Sequence, residues 1–163
     1  MSNIKSLPDL AQLKKWGAMD SKSYKEIVSA LDKNHKILIL APKNSGKNTV
    51  QHAVVNHLHR LHKEPIVVPP VEGIPTSKFK ANIKLKGLKK LIKDFNSYVV
   101  SIQYLGSSKS DISELTEYLL PHFDFIIDLR NLDGDRVICN LIKGRKNINY
   151  VYSNPKFEKY LAA

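Results

Sequence analysis

A buried strand that leads through a short loop into a helix is the feature that most constrains this sequence. Residues 36–40 read Lys-Ile-Leu-Ile-Leu, an apolar run with turn residues directly after it. A strand without polar alternation is typical of a parallel sheet that is covered on both faces. Residues 47–61 follow with apolar side chains at helical spacing. Strand, loop and helix in this order predict an α/β domain.

The loop ends in Gly46-Lys47, the pair found in the phosphate-binding pattern G-x-x-x-x-G-K-[ST]. In that pattern, backbone N–H groups and a helix N-terminus hold phosphate oxygens, the lysine reaches the outer phosphates, and a hydroxyl binds Mg²⁺. Binding of ATP or ADP here is predicted to be weak. The residues that would contact the nucleotide are Ala41, Lys43, Asn44, Ser45, Gly46, Lys47, Asn48 and Thr49.

The loop departs from the pattern at several positions. Ala41 replaces the first glycine, and Pro42 removes one N–H donor. Asn48 occupies the position of the hydroxyl that binds the metal, and Thr49 is rotated from it by about 100° around the helix. The alternative interpretation is a chance Gly-Lys pair in an ordinary strand–turn–helix unit.

The rest of the chain continues the alternation of helices and strands. Residues 69–82 are rich in Pro and Gly and predict a loop, and Leu88, Leu91 and Ile92 should form the apolar face of a basic helix. Two runs that flank Asp133-Gly134 predict an antiparallel hairpin at the sheet edge. The predicted helices are 7–16, 20–34, 47–61, 85–95 and 111–120, and the predicted strands are 36–40, 66–68, 98–105, 123–129 and 136–143.

Composition limits the class of protein. The chain has 163 residues, which fits one domain, and its single cysteine excludes an internal disulfide framework. No apolar run is long enough to span a bilayer, so we expect a cytoplasmic protein. The net charge of +11 favours anionic partners, although a proteome that uses lysine as its default surface residue would give the same excess.

Much of this charge lies in a basic segment, residues 78–93, which has no acidic residue before Asp94. Three interpretations remain open for it: a solvated helix face, a surface for an acidic protein partner, or a nucleic-acid interface. Aromatic residues are sparse there, so a base-stacking platform is not indicated. The lysines of the basic segment are Lys78, Lys80, Lys84, Lys86, Lys89, Lys90 and Lys93.

A metal site is not predicted. His59 and His62 are three positions apart on one predicted helix, which suits a shared metal ion. However, no acidic or cysteine ligand has a helpful spacing, so an exposed helix face is the preferred interpretation.

The order of these segments resembles the hexameric traffic ATPases of type IV secretion and type IV pili. The resemblance runs from about Leu7 to Lys143. In that family a segment such as SLPDLIRYG leads through a helix into a strand and the phosphate loop, and residues 6–49 follow the same order. The family's later strand, of the type RIIVGEVRG, corresponds to residues 98–106. Its closing hairpin through a D-G turn corresponds to residues 123–144.

The resemblance also shows which catalytic groups are altered. The family's Walker-B glutamate aligns with Gln103, which carries no charge and cannot accept a proton. Its histidine box has no counterpart here, and its acidic box is reduced to one candidate, Glu72. The resemblance implies that strands 36–40 and 98–103 are neighbours or near-neighbours, with Gln103 close to residues 45–47.

The resemblance therefore implies a truncated, degenerate member of the family. The expected fold is a single P-loop (RecA-like) α/β domain over residues 1–163, with a parallel sheet flanked by helices and a closing antiparallel hairpin. Residues 1–35 would be a helical lead-in and 147–163 a tail. No catalytic residue is expected, because position 103 is degenerate.

The expected function is that of a pseudo-ATPase. It would act as an accessory or regulatory component of a type IV secretion, conjugation or pilus machine, by binding an active secretion ATPase or another cytoplasmic component. In this interpretation the basic segment is expected to lie exposed beside the phosphate loop and to form or border the surface for the partner. The alternatives are an active small P-loop NTPase and a basic nucleic-acid-binding module, and homo-oligomers are left open.

Overall fold

The computed structural model describes residues 8–33, 36–132, 135–143 and 149–155. These residues form one mixed sheet with helices packed on both of its faces. Short 3₁₀ turns lie at Phe79–Ala81 and Leu120–His122. The helices are α1 Leu10–Lys15, α2 Ser21–Leu31, α3 Lys47–Arg60, α4 Ile83–Ile92 and α5 Lys109–Leu119. The strands are β1 Lys36–Pro42, β2 Ile66–Val67, β3 Val71–Pro75, β4 Tyr98–Leu105, β5 Phe125–Leu132, β6 Asp135–Lys143 and β7 Asn149–Ser153.

Four of the five described helices, all but α3, begin where the sequence supplies a capping side chain. Asp9 and Asp20 each accept a backbone N–H of the first turn and complete a capping box. Asn82 caps α4, and Ser108 caps α5. These four caps satisfy N–H groups that would otherwise lack an acceptor, and so fix where each helix starts.

The sheet is built around β1. Its order is β2-β4-β1-β5-β6-β7, and β3 pairs with β4 on the same side as β2. β1 pairs in parallel with β4 from Lys36↔Tyr98 to Pro42↔Tyr104, and with β5 on its other side. The parallel pairing of β1 with β4 agrees with the expectation from the sequence.

Two cores lie on the two faces of the sheet. Ile37 and Ile39 pack against α1, α2 and α3, whereas Leu38 and Leu40 pack against α4 and α5. All four side chains are at most 1% exposed. Burying each contributes roughly 1.5–3 kcal/mol relative to exposure. This two-sided burial explains why the strand has no polar alternation.

The predicted loop at 69–82 is wrong in part, because Val71–Pro75 forms β3. Ile74 is fully buried in the core beside Tyr104, and this burial outweighs the turn propensity of the prolines and glycine around it. Gly73 has a φ of +74°, and the register shifts between Val71 and Ile74. The glycine thus provides the irregularity that this short edge strand needs.

The position of the closing hairpin is also corrected. β5 and β6 pair antiparallel as predicted, but they do not form the edge, because β7 pairs with β6. β7 comes from the segment that the sequence indicated as a tail. Tyr152 anchors it, since its hydroxyl donates to the Asp20 carboxylate at 2.8 Å. The predicted turn at 133–134 lies outside the described residues.

Helix α4 differs from its prediction in its exposed face. Leu85, Leu88 and Ile92 are buried, whereas Leu91 is 51% exposed. Gly87 lies in the middle of the helix, and a Cβ added to it would meet no atom within 4 Å. The fold therefore does not require a glycine at this position.

No helix among the described residues is long and apolar enough to cross a membrane.

We expect Gly87→Ala to raise the free energy of unfolding by about 0.5–1 kcal/mol, because glycine is disfavoured in an exposed helix interior. Urea denaturation measures this change. Gly17→Ala is the matched control: its added Cβ also meets nothing within 4 Å, but its φ of +84° strains any L side chain. Gly17→Ala should destabilise the protein, and a destabilising Gly87→Ala would contradict the assignment of open space.

Candidate functional site

The loop between β1 and α3 lies at the carboxyl end of the central parallel strand. Open α/β sheets bind ligands at this end. The backbone takes left-handed values at Asn44, with φ of 63°, and at Gly46, with φ of 81°. Gly46 is also the N-cap of α3 and provides no side-chain acceptor. The first N–H groups of this 14-residue helix are therefore not satisfied by a cap side chain, as an anion site requires.

Internal hydrogen bonds hold the loop in shape. The Ser45 hydroxyl donates to the Pro42 carbonyl at 2.5 Å, and its residue is only 2% exposed. The Asn131 amide donates to the Asn44 carbonyl at 3.2 Å, which ties the loop to the end of β5. Ser45 is thus used for folding the loop and does not present its hydroxyl to a ligand.

Lys47 is the buried cation of the site. The residue is 6% exposed, and its Nζ donates to Asn48 Oδ1 at 3.3 Å. The same Nζ lies 3.7 Å from Glu72 Oε1, whose side chain is 58% exposed. The charge of Lys47 is therefore already paired with the carboxylate of Glu72.

The two neighbouring helix positions supply little to a metal. Asn48 is exposed, but its amide oxygen accepts a hydrogen bond from Lys47. Thr49 is half-buried on the next helical position. Within the described ranges, no group of three or more His, Cys, Asp or Glu residues is arranged to hold a metal ion.

Gln103 lies beside the start of the loop. It is the register partner of Ala41, on the face of the sheet that carries α3. Ser101 lies on the same face, because its hydroxyl donates to the Gln51 side chain on α3 at 2.6 Å. The Gln103 amide has no hydrogen-bond partner among the residues that the structure describes. A neutral amide therefore stands next to the loop at this position.

The basic segment extends across the sheet, so only one of its ends borders the loop. At the near end, Lys84 Nζ donates to the Glu72 carbonyl at 2.8 Å. At the far end, Lys89, Lys90 and Lys93 line a cavity of about 500 Å³ together with Lys36 and His122. The expectation that the whole segment lies beside the phosphate loop is therefore wrong. Helix α4 runs from the carboxyl end to the amino end of β4, which separates its lysines.

Exposure also differs along the basic segment. Six of its lysines are exposed, but Lys89 is half-buried against Tyr118. Its Nζ lies 2.8 Å from the Tyr118 hydroxyl and 4.5 Å from the ring centroid. In the neighbouring cavity, burial lowers the pKa of His122, and the charges of Lys89 and Lys36 lower it further. His122 therefore resists protonation, and the positive charge of the cavity comes from its lysines.

Sequence reasoning missed a buried polar network on the opposite face from α3. Asp128 is 5% exposed and accepts hydrogen bonds from Arg130 Nε at 3.0 Å and from Asn140 Nδ2 at 2.9 Å. Ser153 donates to Asn140 at 3.0 Å, so the network joins β5, β6 and β7. The sequence did contain a signal for this network, because Asp128 and Asn140 are polar residues inside otherwise apolar runs. The donors satisfy both carboxylate oxygens, which makes the network a structural link between strands.

No protein-family model matches this sequence, and no curated protein matches it either. Among solved structures, the chain distantly resembles the VirB11 ATPase from the Brucella suis type IV secretion system in complex with sulphate. The two share 12% identity with a TM-score of 0.43. The match covers 92% of this chain and 58% of the VirB11 chain, so the present chain spans less than two thirds of that protein.

We expect Glu72→Gln to raise the affinity for ATP without Mg²⁺, because it removes the carboxylate that competes for Lys47. Because the Glu72 side chain is largely exposed, its ion pair with Lys47 contributes at most about 1 kcal/mol, so the gain should not exceed about fivefold. Isothermal titration calorimetry measures it. Glu114→Gln is the control, since it changes the net charge equally on the exposed surface of α5. An equal effect of both variants would show that Glu72 does not restrict the site.

Proposed function

We propose that this chain is a catalytically impaired relative of the traffic ATPases that works by binding a protein partner. It would serve as an accessory or regulatory component of a type IV secretion, conjugation or pilus machine. Its partner would be the active ATPase or another cytoplasmic component. The proposal has two parts, an anion-binding loop without catalytic groups and a basic docking surface.

The loop supports the first part because it keeps the elements that hold a phosphate group. These are the left-handed turn at Gly46, the uncapped N-terminus of α3 and the lysine at position 47. Backbone N–H groups and a helix N-terminus attract anions without any metal. Weak binding of ATP or ADP is therefore part of the proposal, through the backbone of residues 43–49 and Lys47.

The observation that carries the proposal is the pairing of Ala41 with Gln103. Gln103, which the family resemblance aligns with the Walker-B glutamate, is an amide and lies beside the start of the loop. Phosphoryl transfer requires the metal to neutralise charge and requires a group that positions the attacking water. With Asn48 at the metal position and Gln103 at the carboxylate position, both requirements fail together.

The basic segment supports the second part. Lys78, Lys80, Lys86 and Lys90 are exposed, and none of them takes part in an ion pair with a described residue. Their field would steer an acidic surface toward α4. A role in contact, rather than in turnover, explains why the scaffold keeps its core while the catalytic positions differ.

We expect the native protein to hydrolyse ATP below about 1 s⁻¹ and to bind ATP with the same affinity with or without Mg²⁺. The double variant Asn48→Ser, Gln103→Glu should make ATP binding at least about tenfold tighter in Mg²⁺, because it restores a hydroxyl and a carboxylate near the loop. Titration calorimetry with and without MgCl₂, together with phosphate release, measures both quantities.

The control for this experiment is the double variant Asn48→Ala, Gln103→Ala, which should remain indifferent to Mg²⁺. Turnover of the native protein at about 1 s⁻¹ or faster, lost on Lys47→Ala, would show an active NTPase and overturn the proposal.

The partner-binding role predicts that Lys84→Glu, Lys86→Glu and Lys90→Glu together abolish capture of partner proteins from the native host. Capture by the native protein should weaken as salt rises, because exposed charges are screened within roughly 8–10 Å at physiological ionic strength. Quantitative pull-down followed by mass spectrometry measures this.

Lys15→Glu, Lys22→Glu and Lys25→Glu form the matched control for that experiment. These lysines are exposed on α1 and at the start and middle of α2, and they change the net charge equally. If the variant with Lys84→Glu, Lys86→Glu and Lys90→Glu folds and recovers the same partners in equal amounts, the basic segment is only a solvated helix face. Recovery of nucleic acid in place of protein would instead favour the nucleic-acid-binding alternative.

A further inference from the structure

Helix α4 carries an apolar stripe that no described part of the chain covers. Ile83 is 84% exposed and Leu91 is 51% exposed. Gly87 lies between them, so the three residues are spaced four apart. At about 100° per residue, each is displaced by only about 40° from the last, and they form one continuous line along the helix. The buried residues Leu85, Leu88 and Ile92 lie on the opposite side.

Gly87 gives the stripe a shape that a second helix would fit. Nothing lies within 4 Å of an added Cβ, and its φ does not require glycine, so neither packing nor backbone conformation explains it. A missing side chain at the centre of an exposed apolar stripe lets another backbone approach closely. A lipid surface would gain nothing from this gap, whereas a crossing helix would.

Charge identifies what kind of helix would bind. Lys86 and Lys90 border the stripe on one side and are exposed, and Lys84 borders it on the other while bonded to the Glu72 carbonyl. A second copy of this chain would bring the same lysines against each other. An occupant with carboxylates facing Lys86 and Lys90 would instead complement them.

We propose that α4 is the docking face for an acidic amphipathic helix of a partner protein, which crosses it at Gly87. Apolar side chains of the partner would pack on Ile83 and Leu91, and its carboxylates would face Lys86 and Lys90. Recognition of an amphipathic helix depends on a few apolar anchors at helical spacing. This inference rests on the proposed function, because it specifies the chemistry of the protein partner proposed there.

Two synthetic 18-residue helical peptides test the proposal with the full-length protein. The acidic peptide has a leucine stripe with a central alanine and is flanked by glutamates, and the basic peptide replaces each glutamate by lysine. Fluorescence anisotropy should give at least a tenfold higher affinity for the acidic peptide. Gly87→Leu should weaken that binding at least tenfold, Gly87→Ala should weaken it less, and Lys86→Glu with Lys90→Glu should weaken it at least tenfold.

The control pair Lys22→Glu and Lys25→Glu on α2 should change the affinity less than twofold. The proposal is overturned if the acidic peptide binds no more tightly than the basic peptide. It is also overturned if Gly87→Leu leaves the affinity for the acidic peptide unchanged. Binding to phosphatidylserine vesicles that depends on Ile83 and Leu91 but survives Gly87→Leu would overturn it in favour of a membrane. ATP hydrolysis measured on the same preparation tests the proposed function separately, because no variant here alters the loop.

Discussion

The pairing of β1 between two parallel neighbours is the constraint on which the rest of the structure depends. It fixes β1 in the middle of the sheet, where α1, α2 and α3 cover one face and α4 and α5 cover the other, and the strand ends at the loop. The same register brings Gln103 beside Ala41. The architecture of the core and the chemistry of the candidate site are therefore consequences of one set of backbone hydrogen bonds.

Glu72 connects the loop to the basic helix. Its carboxylate lies 3.7 Å from Lys47, and its carbonyl accepts a hydrogen bond from Lys84 at 2.8 Å. An edge strand thus joins the buried lysine of the loop to the first turn of α4. In the proposed function, a partner that binds α4 would be adjacent to the loop through this strand, although the outer lysines Lys90 and Lys93 lie at the far end.

The sequence was sufficient to predict those elements that are defined by a local apolar pattern and local end signals. It predicted β1, α3 and β4, because each has a continuous pattern with clear end signals. It could not predict β3 or β7, since short edge strands depend on partners such as β4 and Asp20 that lie far away in the chain. The ion pair of Lys47 with Glu72 and the network around Asp128 are also long-range, and only the fold brings their members together.

The most direct test of the account is an NMR titration of the isotope-labelled protein with ADP, followed through the backbone amides. The account predicts that shift changes concentrate on the amides of residues 44–49 and remain the same when Mg²⁺ is added, because in the proposed function the loop backbone and Lys47 hold phosphate without a metal ion. Shift changes confined to the lysine-lined cavity at Lys89 and Lys93, or a loop response that requires Mg²⁺, would contradict it.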